Sequence, residues 1–209
     1  MEVAVSILNE KYNYEEAIQK VNDSKANLLH LDIMDNTFTS TFSFDYEEAK
    51  KICELSNKKI DIHIMSTDLD NILSDYIKLK PHMISIHYEA VENIDKYIEK
   101  IKKHNIKTSI AINPDTNVSE IYQYLENIDN VLVMSVYPGK GGQTFIEGTT
   151  FKLKELYKMK KEYSYTIEVD GGINDTTINK VNKYTDIVVS GSYITNSDDY
   201  DKQIKNLNK

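Results

Sequence analysis

Short apolar runs alternate with amphipathic segments along the whole chain. The runs are rich in Val, Ile, Leu and Met and have the length of β-strands. They cover residues 3–8, 27–33, 59–65, 82–88, 107–112, 130–136, 165–170 and 186–191. Between them, segments such as 13–21, 45–55 and 93–104 carry apolar residues at helical spacing, and most follow an Asn, Asp, Ser or Thr that could serve as N-cap. Strand and helix in regular alternation predict a parallel sheet.

The number of units decides between an open doubly wound sheet and a closed barrel. Both folds use the same elements, but eight strand–helix units occupy nearly all of the 209 residues and leave no room for a second domain. No linker, low-complexity tract or block of like charge marks a domain boundary. The pattern therefore predicts an α/β protein in which residues 1–209 form a single (β/α)8 barrel, the TIM-barrel fold.

Composition narrows the classes of partner and the compartment. Hydrophobic residues make up 40% of the chain and charged residues 28%, as in ordinary soluble domains. The formal net charge of −8 argues against nucleic acid or a membrane as a partner. A single cysteine, Cys53, excludes an internal disulfide and fits a reducing compartment. Since no apolar run approaches the ~18 residues of a membrane span and no leader pattern opens the chain, a cytoplasmic protein is expected.

The stretch LLHLDIMD, residues 28–35, places charged groups inside an otherwise apolar run. His30 and Asp32 are two residues apart, so on an extended strand they share one face. An ionised carboxylate is costly to bury alone and needs a hydrogen-bonded partner, a shifted pKa or a metal ion.

Ionisable residues recur late in the predicted strands. His30 and Asp32 lie in the second run, His63 in the third, His87 in the fourth and Asp170 at the end of the seventh. Active sites of (β/α)8 barrels lie at the carboxyl ends of the strands, so these side chains should meet at one mouth. One such histidine alone is more often a hydrogen-bonded core residue. Two histidines and two aspartates together suit a bound Zn²⁺, Fe²⁺ or Mn²⁺.

Glycine is confined to the last third of the chain, and arginine is absent. Six of the seven glycines follow the sixth, seventh and eighth predicted strands: Gly139, Gly141, Gly142, Gly171, Gly172 and Gly191. Backbone N–H groups in such loops could bind a phosphate without guanidinium groups. The competing interpretation, that these glycines only form turns, would predict an even scatter over all eight loops.

Several of these segments together resemble the ribulose-phosphate 3-epimerase family. They are SIL (6–8), HLDIMD (30–35), DIHIM (61–65), NP (113–114), VMSVYPGKGGQTF (133–145) and EVDGGI (168–173). A lone histidine-x-aspartate would be weak, but the set matches that family in order and spacing along essentially the whole chain.

The resemblance implies a metal enzyme that epimerises C3 of a ketopentose phosphate. In that family one divalent ion (Zn, Fe or Mn) is held by two histidines and two aspartates, here His30, Asp32, His63 and Asp170. By the same resemblance Asp32 and Asp170 transfer protons on opposite faces of the substrate, which interconverts D-ribulose 5-phosphate and D-xylulose 5-phosphate through an ene-diolate.

The residues expected to contact substrate follow from the same motifs. They are Ser6, Met34, His63, Met65, Met134, Gly139, Lys140, Gly141, Gly142, Gly171, Gly172, Gly191 and Ser192. The three methionines resemble the apolar collar that the family places around the ene-diolate; plain barrel core is an equal alternative for them. The expected partner is a small phosphorylated sugar, with no nucleic acid and no membrane, and a homo-oligomer stays open.

Three departures from the family pattern leave loop closure and sugar specificity open. Residues 34–41 read MDNTFTST where the family has Met-Asp-Gly-x-Phe-Val-Pro-Asn, Lys140 stands where phenylalanine is common, and residues 193–195 read YIT instead of Ala-Ile-Phe. The alternatives are allulose-6-phosphate 3-epimerase, another isomerase or lyase of the barrel superfamily, and a non-catalytic sugar-phosphate-binding relative. The decarboxylase branch is disfavoured because residues 61–65 lack its lysine.

Overall fold

Eight parallel strands close into a barrel in the order in which they occur in the chain. The structure, a computed structural model, describes residues 1–208. The strands are β1 Glu2–Ser6, β2 Leu28–Met34, β3 Lys59–Met65, β4 Met83–His87, β5 Lys107–Ile112, β6 Asn130–Met134, β7 Thr166–Asp170 and β8 Ile187–Ser190. The predicted single (β/α)8 barrel is confirmed.

Helices follow most strands and cover the outside of the barrel. They are α1 Tyr14–Asp23, α2 Tyr46–Leu55, α3 Leu69–Lys78, α4 Asp95–Lys102, α5 Thr149–Met159, α6 Ile178–Val181, α7 Ser192–Thr195 and α8 Tyr200–Leu207. Helix α2 begins with a capping box. The Asp45 side chain accepts from the backbone N–H of Glu48, and the Glu48 side chain accepts from the backbone N–H of Asp45. The connection from β5 to β6 is a 3-10 segment, Val118–Asn127.

The alternation of side chains along each strand separates two cores. On β2, Leu29, Leu31 and Ile33 join the large apolar cluster that includes the helix residues Ile18 and Ile52. The intervening residues of the strand therefore point into the barrel. At the lower end, the interior is closed by a small apolar group: Ala4, Leu28, Met83, Ile187 and Val189.

Strand register brings the interior polar residues together. β2 and β3 pair with Asp32 opposite His63 and Met34 opposite Met65. Because all eight strands are parallel and the barrel is closed, residues at their carboxyl ends meet at one mouth. None of the helices in residues 1–208 has the length and apolar character needed to cross a membrane.

Candidate active site

Four side chains predicted to hold a metal converge inside the barrel. His30, Asp32, His63 and Asp170 each bring one ligand atom into a set in which all atoms lie within 4.8 Å of one another. Asp32 Oδ1 lies 3.4 Å from His30 Nε2 and 3.2 Å from His63 Nδ1. Asp170 Oδ2 is 4.0 Å from His30 Nε2. Imidazole nitrogens and carboxylate oxygens in this number suit a borderline divalent cation.

The His30 ring is held so that one nitrogen has no partner. Its Nδ1 lies 2.6 Å from Asp61 Oδ2, and a carboxylate can only accept, so Nδ1 carries the proton. Nε2 then faces the carboxylates of Asp32 and Asp170, has no hydrogen bond, and belongs to a fully buried side chain. A ring nitrogen buried without a hydrogen-bond partner is unfavourable, and a metal cation bound at Nε2 in place of a proton would satisfy it. The four residues therefore fit a metal ion.

A cavity of about 330 Å³ opens above the four side chains. Asp32 and Asp170 form part of its floor, and the glycine-rich loops after β6, β7 and β8 form its wall. Eleven of the predicted substrate residues line it: Ser6, Met65, Met134, Gly139, Lys140, Gly141, Gly142, Gly171, Gly172, Gly191 and Ser192. Met34 and His63, both buried, are not among the lining residues. Asn9, Asn174 and Asn196 also line the cavity, although the sequence motifs did not predict them.

Comparison with known proteins places these features in a family. Residues 2–195 match the sequence model of the ribulose-phosphate 3-epimerase family. The ribulose-phosphate 3-epimerase of Buchnera aphidicola is 34% identical over 198 residues, covering 92% of this chain and 87% of that protein. The Helicobacter pylori protein of the same name is 34% identical and covers 99% and 96% respectively. The chain belongs to the ribulose-phosphate 3-epimerase family. It is an isomerase.

Solved structures of other enzymes share the fold of this isomerase at low sequence identity. The 3-hexulose-6-phosphate synthase of Salmonella typhimurium superposes with a TM-score of 0.68 at 16% identity, over 99% of this chain and 96% of that chain. The thiamine phosphate pyrophosphorylase of Pyrococcus furiosus gives a TM-score of 0.65 at 15% identity, over 99% and 93%. These likenesses concern the barrel alone.

The protein environment drives the pKa values of the isomerase's two site aspartates apart. Burial would raise the pKa of Asp32, but His30 and His63 outweigh it and hold that pKa below its usual range. Ser6 Oγ also donates to Asp32 Oδ2 at 2.8 Å. Burial raises the pKa of Asp170 to about 7, because the opposing effect of His30 is offset by nearby carboxylates. The protein groups therefore keep Asp32 ionised at neutral pH and allow Asp170 to carry a proton.

The pKa values of His30 and His63 are likewise shifted in opposite directions. Burial lowers the pKa of His63 to about 4, so its ring is neutral at pH 7 and can act as a ligand. Burial also disfavours charge on His30, but the carboxylates of Asp61 and Asp32 raise its pKa well above the usual value. The field around His30 Nε2 is thus strongly negative and attracts a cation.

Two buried acids, Asp61 on β3 and Glu168 on β7, lie next to His30, deeper in the barrel than the four side chains. Glu168 Oε2 accepts from Asn130 Nδ2 at 2.9 Å, and Glu168 Oε1 lies 3.9 Å from His30 Nδ1. Burial and the neighbouring Asp61 carboxylate raise the pKa of Glu168 well above its usual value. Neither acid was predicted as a site residue. Each lies two residues before a predicted one, His63 or Asp170, so the period of two along a strand was the signal that could have found them.

The altered loop after β2 keeps a backbone that the family's glycine would favour. Asn36 occupies the glycine position with φ +66°, in the left-handed region that asparagine tolerates better than most residues. Phe38 extends from the same loop and stacks on His87, with ring centroids 4.5 Å apart. Thr41 Oγ1 donates to the carbonyl of Gly139 at 2.7 Å and so ties this loop to the glycine-rich loop after β6.

Close packing explains one of the glycines after β7. Gly172 has φ +64°, and a Cβ added there would lie 2.6 Å from the amide nitrogen of Phe145 and 2.9 Å from the carbonyl oxygen of Gln143. Gly142 has φ +71° but open space around it, with Ser192 Oγ at 4.0 Å as its nearest neighbour. Packing between loops requires glycine at position 172, whereas Gly142 leaves the backbone exposed to the cavity.

Proposed function

We propose that this isomerase epimerises C3 of a ketopentose phosphate and interconverts D-ribulose 5-phosphate and D-xylulose 5-phosphate. The observation that carries the proposal is the meeting of two carboxyl groups, Asp32 from β2 and Asp170 from β7, at the floor of a cavity walled by glycine-rich loops. The family membership agrees with this chemistry.

Inversion of a carbon beside a carbonyl needs two proton-transfer groups on two faces. We assign Asp32, the ionised carboxylate, as the base that removes the C3 proton of one epimer. Asp170 then delivers a proton to the opposite face, which its raised pKa of about 7 allows near neutral pH. In the reverse direction the roles exchange. A single carboxyl group would return the proton to the face from which it came.

His30, Asp32, His63 and Asp170 would hold one divalent ion, with Zn, Fe and Mn as the candidates. When bound, such an ion polarises the substrate carbonyl and supplies positive charge beside the developing ene-diolate. The unpartnered Nε2 of His30 supports this assignment.

The cavity wall supplies the groups expected to hold the sugar phosphate. Backbone N–H groups of the glycine-rich loops would bind the phosphate, with the exposed Lys140 adding a positive charge. Met65 and Met134 would cover the reacting carbons with apolar surface, and Ser6, already bonded to Asp32, would keep that carboxylate oriented.

Assays with two phosphorylated ketoses test the proposed substrate. The purified protein loaded with Mn²⁺ or Zn²⁺ should convert ribulose 5-phosphate to xylulose 5-phosphate much faster than it epimerises allulose 6-phosphate. A clear preference for the six-carbon sugar would identify an allulose-phosphate epimerase instead. Binding of both sugars without turnover would indicate a non-catalytic relative.

Replacing glycine in the loops should weaken binding of the phosphorylated sugar. Gly142→Ala forces a positive φ on a residue with a Cβ, which costs roughly 1–2 kcal/mol, and it places a methyl group where the backbone faces the cavity. We expect a higher KM for ribulose 5-phosphate and a loss of Tm of only a few degrees. Gly172→Ala should raise KM and also lower Tm clearly, because its Cβ meets backbone atoms.

The control for both variants is Gly148→Ala. Gly148 precedes α5 with helical φ and has no atom within 4 Å of an added Cβ. It should leave KM and Tm near the parent values. If the parent binds ribulose as tightly as ribulose 5-phosphate, the assignment of these loops to phosphate is wrong.

A further inference from the structure

A chain of hydrogen bonds leads from His63 away from the four converging side chains. His63 Nε2 and His87 Nε2 lie 2.9 Å apart, and His87 Nδ1 lies 2.9 Å from Glu89 Oε2. Both histidine rings are fully buried, whereas the Glu89 side chain is 21% exposed. His87 was predicted to reach the barrel mouth, but it is not one of the four residues whose ligand atoms converge.

The outer end of this chain is fixed by donors. Glu89 Oε1 accepts from the backbone N–H of Asn113 at 2.7 Å and from the hydroxyl of Thr116. Lys152 Nζ in turn donates to the carbonyls of Asn113 and Thr116 at 2.7 and 2.5 Å. Burial would raise the pKa of Glu89, but its contact with His87 and the hydrogen bonds from Thr116 and Asn113 hold that pKa below its usual value. Glu89 is therefore an acceptor on both oxygens.

If His87 is neutral, only one placement of protons satisfies the hydrogen bonds between Glu89, His87 and His63. Because Glu89 can only accept, His87 Nδ1–H must donate to it, which leaves His87 Nε2 without a proton. That nitrogen can only accept, so His63 Nε2–H must donate to it. His63 Nδ1 is then bare. It faces Asp32 Oδ1 at 3.2 Å, and two acceptors at that distance need a cation between them.

We propose that His87 and Glu89 are positioning residues that set the tautomer of His63 and direct the lone pair of its Nδ1 at the metal. The inference rests on the proposed metal site and adds two residues to it. Phe38 lies against the His87 ring, with centroids 4.5 Å apart and planes at 35°. The loop after β2 thus contacts the metal site through this pair.

Glu89→Gln should reverse the direction of donation along these hydrogen bonds with almost no change in the shape of the side chain. The fixed N–H of Asn113 keeps the amide oxygen at the Oε1 position, so the amide NH2 faces His87 Nδ1. His87 then carries its proton on Nε2 and donates to His63 Nε2, and His63 Nδ1 becomes protonated where it should bind the metal. His87→Phe keeps an aromatic ring beside Phe38 but removes the acceptor for His63 Nε2–H.

The direct test is Zn²⁺ affinity, measured by competition with a chelator on the full chain. Outer partners of metal-bound histidines typically contribute about 10–100-fold to affinity, and we expect a loss of that size in Glu89→Gln and in His87→Phe. Glu92→Gln, at an exposed position three residues along the same connection, is the matched control and should bind Zn²⁺ as the parent does. Thermal melting of each variant without metal shows whether the fold is kept.

Nitrogen NMR of the histidine side chains provides the readout that a merely structural role would not change. With only five histidines in the chain, the Zn²⁺-loaded parent should show His87 as the neutral Nδ1–H tautomer and His63 with its proton on Nε2. An imidazolium or Nε2–H form of His87, or unchanged Zn²⁺ affinity in both variants, would overturn the inference alone. A parent that binds no Zn²⁺ would overturn the metal site as well.

Discussion

Asp32→Asn is expected to lower the rate of epimerisation by about 10²–10⁴-fold, the usual contribution of a general acid or base, while the barrel stays folded. The amide keeps the shape of the side chain and one oxygen that can accept from Ser6. It cannot take the C3 proton. Affinity for the sugar phosphate should change little, because the loops that would bind phosphate belong to other strands.

Asp170→Asn should have an effect of similar size, and the double variant should be scarcely slower than either single one. The two carboxyl groups act on one carbon, so losing one already stops the exchange and leaves little for the second to contribute.

A purely structural Asp32, paired with the histidines, predicts a different outcome. In that case Asp32→Asn lowers Tm and the surviving folded fraction keeps the parent's turnover. Measuring Tm and kcat together distinguishes the two accounts, with Asp23→Asn at an exposed site on α1 as the control for loss of one charge.

Removing the metal is expected to abolish detectable epimerisation and to lower Tm. A bound cation contributes several kcal/mol to stabilising negative charge in the transition state, which corresponds to roughly 10²–10³-fold or more in rate. The apoprotein should also be less stable, since it leaves His30 Nε2 buried without a partner and lacks the stabilisation that a ligand bound to the folded state provides. Adding back Zn²⁺, Fe²⁺ or Mn²⁺ should restore both properties, and elemental analysis should find about one ion per chain.

Histidine variants check where the metal lies. His30→Ala and His63→Ala should each reduce the metal content, whereas His104→Ala, at an exposed position beyond α4, should not. Near-full occupancy in both site variants would contradict the assignment of these ligands.

The barrel was predictable because each strand has a recognisable local sequence pattern. Apolar and β-branched runs of the right length alternate with amphipathic segments, and eight such units in 209 residues leave few other folds. Strand ends were less accurate. The run 3–8 extends past β1, which ends at Ser6, because Leu8–Glu10 forms a 3-10 turn that local composition does not signal.

The four converging side chains were predictable, while the residues that orient them were not. Ionisable residues at strand ends stand out against apolar neighbours, and the geometry of the fold brings them together. The contacts of Asp61 with His30 and of Glu89 with His87 depend on barrel register and on the path of a loop. The period of two places Asp61 on the same face of β3 as His63, but the spacing of residues along the chain does not give the distance to His30 or the path that brings Glu89 to His87.

Deuterium incorporation at C3 shows directly whether two carboxyl groups transfer protons on opposite faces of the substrate. The enzyme is incubated with ribulose 5-phosphate in D2O and stopped at low conversion. The expected product is xylulose 5-phosphate labelled at C3, because Asp170 delivers a solvent-derived deuteron, while most unreacted substrate is still unlabelled. Product that forms at the normal rate but carries no deuterium at C3 would show that the original proton is returned, and would contradict the two-carboxyl mechanism.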